Sequence, residues 1–270
     1  MLTAVIALPI LIASIVIPWL QPLFVVLAGA AMLIGLMEFY VLAKKRDLKP
    51  DAGPMVLGAT AIFVVALFSG PGLDLLMLQL VILALAIGTL ISATLRGAPF
   101  DKMIASAGAT ILGVLYVALL GSYLVALRVG FPQSLSSHLL SFFFLVLMGG
   151  DTGAYYVGRA FGKHKLAPSI SPGKTWEGVG GGIIAALAMA ALAHFWFFPE
   201  LPLAWGLPLA LLMTITGILG DLTESALKRG AGAKDAANFL PGHGGILDRL
   251  DSLLFNAPLI YYFGRIYFNR

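Results

Sequence analysis

The chain has 270 residues, 60% of them hydrophobic and 11% charged, with a formal net charge of +4 and a mean hydropathy of +0.96. Soluble domains carry about 25% charged residues, so a soluble globular fold is excluded and a bilayer is the expected solvent. The basic balance points to cytoplasmic loops rather than to nucleic acid, and the lack of cysteine excludes disulfides and thiolate metal sites.

A spanning helix needs about 20 mostly apolar residues. The opening MLTAVIALPILIASIVIPWL has no basic leading segment and no clear small-residue cleavage site, so it is expected to stay as a first helix near 2–19. Apolar runs follow near 22–43, 55–70, 74–95, 103–127, 138–158, 177–198, 203–220 and 250–268. They predict an all-α polytopic membrane protein of about nine transmembrane helices, with residues 1–270 forming one integral membrane domain. No convincing internal repeat accompanies them, so the inverted-repeat plan of many transporters is not expected.

The connecting loops set the orientation. Lys44, Lys45, Arg46 and Lys49 share one loop, Arg96 and Lys102 a second, Arg159, Lys163, Lys165 and Lys174 a third, and Lys228, Arg229, Lys234 and Arg249 a fourth. With nine spans these loops fall on one side, leaving only Arg128, Arg265 and Arg270 opposite. The positive-inside rule makes the basic side cytoplasmic, with the N-terminus inside. The cytoplasmic (inner) membrane is the expected location.

Charge is concentrated between 221 and 251, where nine of the 30 Asp, Glu, Lys and Arg residues fall. Asp221, Glu224 or Ser225, and Lys228 follow at three- and four-residue spacing and share a helix face. Asp248 and Asp251 are three apart in DRLD, again on one face. Carboxylates bordered by Lys228, Arg229, Lys234 and Arg249 suggest a divalent cation beside phosphates, and hard oxygen ligands suit Mg²⁺. The bland alternative is a solvated loop whose charges pair with one another. His243 in LPGHGGILD sits among glycines whose backbone N–H groups can form an anion nest; an ordinary tight turn is the competing reading.

A second polar stretch, PSISPGKTWEG, offers Lys174 and Thr175 to phosphate and Glu177 to a metal or to Lys174. Its GKT is not a P-loop, because Pro168 stands where the pattern needs glycine. Asp151 in MGGDTGAYYVGR falls inside or at the cytoplasmic end of the sixth span, where a carboxylate is costly and a functional candidate. GVGGG at 178–182 is assigned to close helix packing. Glu38 is expected at the membrane interface, and His138 and His194 at span ends.

Ser225-Ala-Leu-Lys228-Arg229, then Lys234-Asp235, then Pro241-Gly-His243-Gly-Gly-Ile-Leu-Asp248-Arg249-Leu-Asp251 resembles the signature of the phosphatidate cytidylyltransferases, or CDP-diacylglycerol synthases. DTGAY, GKHKL and SPGKTWEG resemble further segments of that family in the expected order, so residues 151–251 carry the likeness. Many members carry lysine where this chain has Gly173, which leaves open how many basic contacts that loop supplies.

The resemblance implies a membrane enzyme that joins CTP to phosphatidic acid with Mg²⁺, releasing pyrophosphate, within a membrane lipid environment. It is associated with a two-cation centre; a homodimer is a further expectation. Asp221 and Asp248 are the leading metal ligands, with Asp251 beside them. Lys228, Arg229, Lys234, Arg249 and His243 are assigned to phosphates. Ser171, Lys174, Thr175, Glu177, Ser225, Asp235 and Asp151 complete the substrate-binding set. A CDP-alcohol phosphotransferase is the nearest rival, but its aspartates lie four apart on helices, a pattern missing here. A cation-coupled transporter would place polar groups at the bilayer midplane, whereas here they gather at helix ends.

Overall fold

The computed structural model describes residues 2–70, 72–98, 100–233 and 245–268, with side chains from Leu8 onward. Helix α1 spans Leu2–Val16, α2 Gln21–Lys44, α3 Ala52–Phe68 and α4 Leu75–Leu95. Helices α5 (Met103–Gly113) and α6 (Leu120–Val129) are joined without a break by a π-helical stretch, Val114–Leu119. Then come α7 (Gln133–Phe161), α8 (Trp176–Trp196), α9 (Leu203–Gly230) and α10 (Leu247–Phe268). Among the described residues six helical runs are long and apolar enough to cross a membrane: Pro18–Lys44, Leu75–Leu95, Met103–Val129, Gln133–Phe161, Trp176–Trp196 and Leu203–Gly230. The chain thus has the build of a multi-pass, largely helical membrane protein.

Each of the nine apolar runs falls on a helical segment, but α1, α3 and α10 are not among the six that are long and apolar enough to cross a membrane; the other differences lie at helix ends. Helix α9 continues ten residues past the expected end at 220, because TESALKRG is strongly helix-forming and its charges pair with neighbouring elements. An all-α expectation also misses a short antiparallel hairpin between α7 and α8, β1 (Lys165–Ala167) with β2 (Ser171–Thr175), registered Lys165 to Thr175. Side chains stop the helices where the sequence changes character. Asp51 caps α3 by accepting from Gly53 N at 3.1 Å, Asp74 caps α4 through Met77 N at 2.9 Å, and Thr175 caps α8 through Gly178 N at 3.1 Å. Each such cap contributes about 1 kcal/mol.

Lipid tails are as apolar as leucine, so helix association here depends on close packing by small residues. Helices α7 and α8 meet along Gly149, Gly150 and Gly153 against Gly181, Gly182 and Ala185; a Cβ added at Gly153 would lie 2.4 Å from the Ala185 Cβ. The packing role expected for GVGGG holds for these two glycines. Helix α10 joins two buried clusters. Its Leu247 and Leu254 pack with Phe39, Met55 and Val117, and its Ala257, Ile260 and Tyr261 pack with Leu139, Phe143 and Met213.

The basic loops come together at one end. Arg96 pairs with Asp51 at 3.2 Å and donates to the Lys49 carbonyl at 3.0 Å, Arg46 Nε donates to the Gly230 carbonyl, and Arg229 Nε reaches the Ile170 carbonyl at 3.3 Å.

Candidate active site

Helix α9 carries the centre of the charged end. Its residues Asp221, Glu224, Ser225 and Lys228 follow at helical spacing, as the sequence predicts, and run along one face for two turns. The hairpin brings Lys174 to the first of them: Lys174 Nζ lies 2.6 Å from Asp221 Oδ2, and Ser225 Oγ donates to Asp221 Oδ1 at 3.3 Å. Two turns' worth of helix then delivers Lys228, whose Nζ lies 2.7 Å from both Glu224 Oε2 and Asp248 Oδ1. Asp248 comes from the first turn of α10 and also accepts from Gly245 N at 3.0 Å.

The two helices can converge this closely because Gly220 has no side chain. A Cβ there would lie 2.5 Å from the Asp251 carbonyl oxygen. Asp251 Oδ1 accepts the N–H of Ser252 at 2.6 Å, and Thr216 Oγ1 donates to Asn256 Oδ1 one turn deeper.

A cavity of about 480 Å³ opens between α7, α8, α9 and the hairpin. Asp151, Arg159, Ser171, Lys174, Thr175 and Asp221 form its polar wall, while Val146, Leu147, Val179 and Ile218 form its apolar wall. It therefore suits a ligand that is anionic at one end and hydrocarbon at the other. A second cleft, of about 660 Å³, is almost wholly apolar and lies against Thr223, Ala226, Leu227 and Gly230, the face of α9 turned away from the carboxylates.

The remaining predicted residues take other places. Thr175 lines the cavity, and its hydroxyl oxygen caps α8. Glu177 does not touch Lys174; it holds the start of the hairpin by accepting from Lys163 N at 3.1 Å, His164 N at 3.2 Å and His164 Nδ1 at 2.6 Å. Arg229 and Arg249 are exposed at the ends of α9 and α10. Lys234, Asp235 and His243 lie outside the described residues. Of the glycine-rich segment expected to form an anion nest, the amides of Gly245, Ile246 and Leu247 are already bound by carboxylates.

Glu38 is fully buried within the protein and accepts from the backbone N–H groups of Ile246 at 2.9 Å and Leu247 at 2.7 Å. The signal was present, since a lone carboxylate within an apolar helix needs a partner, but nothing in the sequence shows that the partner is backbone 208 residues away. Tyr116, on the π-helical stretch, was also missed. Its hydroxyl is buried without a hydrogen-bond partner among the described residues, and its ring packs between Phe39 and Phe255.

Could these residues hold magnesium? Among the described residues no three Asp, Glu, His or Cys groups gather closely enough to form a metal cage. Magnesium rarely uses one; it binds one or two carboxylates and completes its shell with phosphate and water. Asp221 on α9 and Asp248 on α10, each paired with a lysine ammonium, are carboxylates of the kind magnesium uses.

The Lys174–Asp221 pair lines an amphipathic cavity in the helical bundle, and Lys228 with Glu224 and Asp248 lies further along the same face of α9. The profile of the cytidylyltransferase family matches residues 1–267, and the chain belongs to that family. It is similar to the phosphatidate cytidylyltransferase of Bacillus subtilis (strain 168), with 35% identity over 240 residues and 85% of each chain covered. The protein of that name from Staphylococcus haemolyticus is 37% identical over 231 residues, covering 85% of this chain and 86% of its own. That from Haemophilus influenzae is 46% identical over 129 residues, 46% of this chain and 45% of its own.

Proposed function

We propose that the chain is a CTP:phosphatidate cytidylyltransferase, which converts CTP and phosphatidic acid to CDP-diacylglycerol and pyrophosphate for phospholipid synthesis. The observation that carries this reading is the cavity between α7, α8 and α9. It has the Lys174–Asp221 pair on one wall and apolar side chains on the other, so a lipid phosphate and its chains both find a match.

In the reaction an oxygen of the phosphatidate phosphate attacks the α-phosphorus of CTP in line. A bond forms from that oxygen to phosphorus, and the bond from phosphorus to the bridging oxygen of pyrophosphate breaks. The lipid phosphate is already ionised at neutral pH, so no general base is required. Such transfer rests on positioning and charge neutralisation. Lys174 and Lys228 each hold a carboxylate in the free protein and would turn to phosphate when the substrates arrive. Arg229, Lys234, Arg249 and His243 would add phosphate contacts at the rim. Magnesium held by Asp221 and Asp248, with Asp251 beside them, would withdraw charge from the α-phosphate and stabilise departing pyrophosphate. A second cation and a homodimer belong to the same proposal.

The site would face the cytoplasm, with nine spans and the N-terminus inside, in the cytoplasmic membrane. The sequestering of 14 of 17 basic residues in four loops supports this orientation, as do the contacts linking those loops. The test is to incubate purified protein with labelled CTP, phosphatidic acid and Mg²⁺. Labelled CDP-lipid should form only when all three are present. Its absence in a folded preparation would remove the proposed function.

A further inference from the structure

Helix α10 begins against the middle of the opposite half of the chain. Its first-turn N–H groups lack intrahelical partners, and two of them, on Ile246 and Leu247, are taken by the two oxygens of Glu38. A buried carboxylate in lipid is costly unless it is fully hydrogen-bonded. Here two charge-assisted bonds and the positive end of the α10 dipole offset that cost. Gly245 completes the fit, since a Cβ there would lie 2.7 Å from Glu38 Oε2. One turn back along α2, Gly35 leaves room for α10: a Cβ there would lie 3.4 Å from Leu250 Cδ1 and 3.8 Å from Leu247 Cδ1.

The next residue after this clasp is Asp248. One of its oxygens takes the Gly245 N–H and the other takes Lys228. The amides of 245, 246 and 247 are therefore divided between Asp248 and Glu38.

We infer that Glu38 is a positioning residue of the active site: by holding the Ile246 and Leu247 amides it fixes the first turn of α10, and so aims the Asp248 carboxylate at the cation and phosphates. This assigns a task at the site to the N-terminal half, outside the 151–251 stretch that carries the charged motifs. It rests on Asp248 being a metal ligand, as proposed above.

The test compares Glu38→Gln, Gly245→Ala and Asp248→Asn with the parent, as purified full-length protein. Glu38→Gln keeps the volume but turns an N–H toward one of the two amide donors. It should purify as the parent does, melt somewhat lower because a buried amide donor loses its acceptor, and exchange the amides of 246–250 faster. Outer-shell substitutions typically weaken metal binding 10- to 100-fold, so Mn²⁺ titrated by electron paramagnetic resonance should bind roughly tenfold or more weakly. Its kcat should fall while KM for CTP holds. Gly245→Ala, which crowds Glu38 without removing it, should show the same pattern more mildly, and serves if Glu38→Gln does not fold. Faster exchange at 246–250 combined with parental Mn²⁺ affinity and kcat would overturn the inference. Parental Mn²⁺ affinity in Asp248→Asn would overturn both the ligand assignment and the inference. Loss in Asp248→Asn beside parental affinity in the other two variants would overturn the inference alone.

Discussion

Arg128, fully buried, and Lys228, half-buried, are cations at opposite ends of the bundle. The Arg128 side of the bundle meets it with neutral oxygens: its guanidinium donates to Gln133 Oε1 at 2.6 Å and to the Ser14 carbonyl at 3.2 Å. Ser136 Oγ donates to the Arg128 carbonyl at 3.2 Å, and Ser137 Oγ to the Ile15 carbonyl at 2.7 Å, tying α1, α6 and α7 together. Lys228 instead meets two carboxylates at 2.7 Å, and the neighbouring Lys174 meets a third on the wall of a cavity. The first arrangement is closed and connects helices. The second holds ion pairs, and under the proposed function their partners would be exchanged for a phosphate on one side and a metal on the other. Buried charge alone therefore does not mark the site; charge paired beside an open cavity does.

Substitutions at the two ends should break this comparison in different ways. The largest effect is expected from Asp221→Asn and Asp248→Asn. Each should lower turnover by on the order of 10²-fold or more, since the carboxylate acts on charge that develops in the transition state, while insertion and purification stay normal. Turnover near that of the parent at limiting Mg²⁺ would take the residue out of the ligand set.

Lys228→Met should cost both activity and stability. Only 13% of the Lys228 side chain is exposed, against 1% for Glu224 and 18% for Asp248. Removing the cation leaves two carboxylates unneutralised, and breaking a buried pair costs about 3 kcal/mol or more. Lys174→Met sharpens the point: Asp221 is more exposed, so turnover should fall with a smaller loss of thermal stability. Equal stability losses in the two variants would contradict the distinction.

Arg128→Met should leave kcat and both KM values unchanged and alter only thermal stability, by about 1–2 kcal/mol for the lost hydrogen bonds. A fall in kcat per folded molecule would show that the two ends are coupled. The least perturbing test uses single cysteines, which the native sequence lacks. Lys45→Cys should be shielded from an impermeant thiol reagent applied outside intact cells, and Glu200→Cys should be labelled. The reverse pattern would invert the proposed orientation.

Most of the charged end was legible because helical spacing is local information. Asp221, Ser225 and Lys228 share a face at any helix position. The apolar runs likewise placed the helices, since a bilayer demands length and hydropathy from each segment separately. What the sequence hid depends on contacts between distant segments. The partners of Glu38 are backbone amides of α10, and Glu177, read as facing a metal or Lys174, instead meets His164, which the hairpin carries back to it. The ion pair of Lys174 with Asp221, 47 positions apart, follows from the same hairpin. A family likeness could bring both segments to one site without showing which atoms meet.

The central claim is that both substrates meet at the charged end and that cytidylyl passes directly between them. The chain has no cysteine, and Ser225, whose hydroxyl donates to Asp221 at 3.3 Å, is the hydroxyl that a covalent route would have to use. Exchange of labelled pyrophosphate into CTP by lipid-free enzyme tests this most directly. Direct transfer predicts no exchange until phosphatidic acid is supplied. Exchange without lipid would reveal a covalent cytidylyl-enzyme and contradict the account.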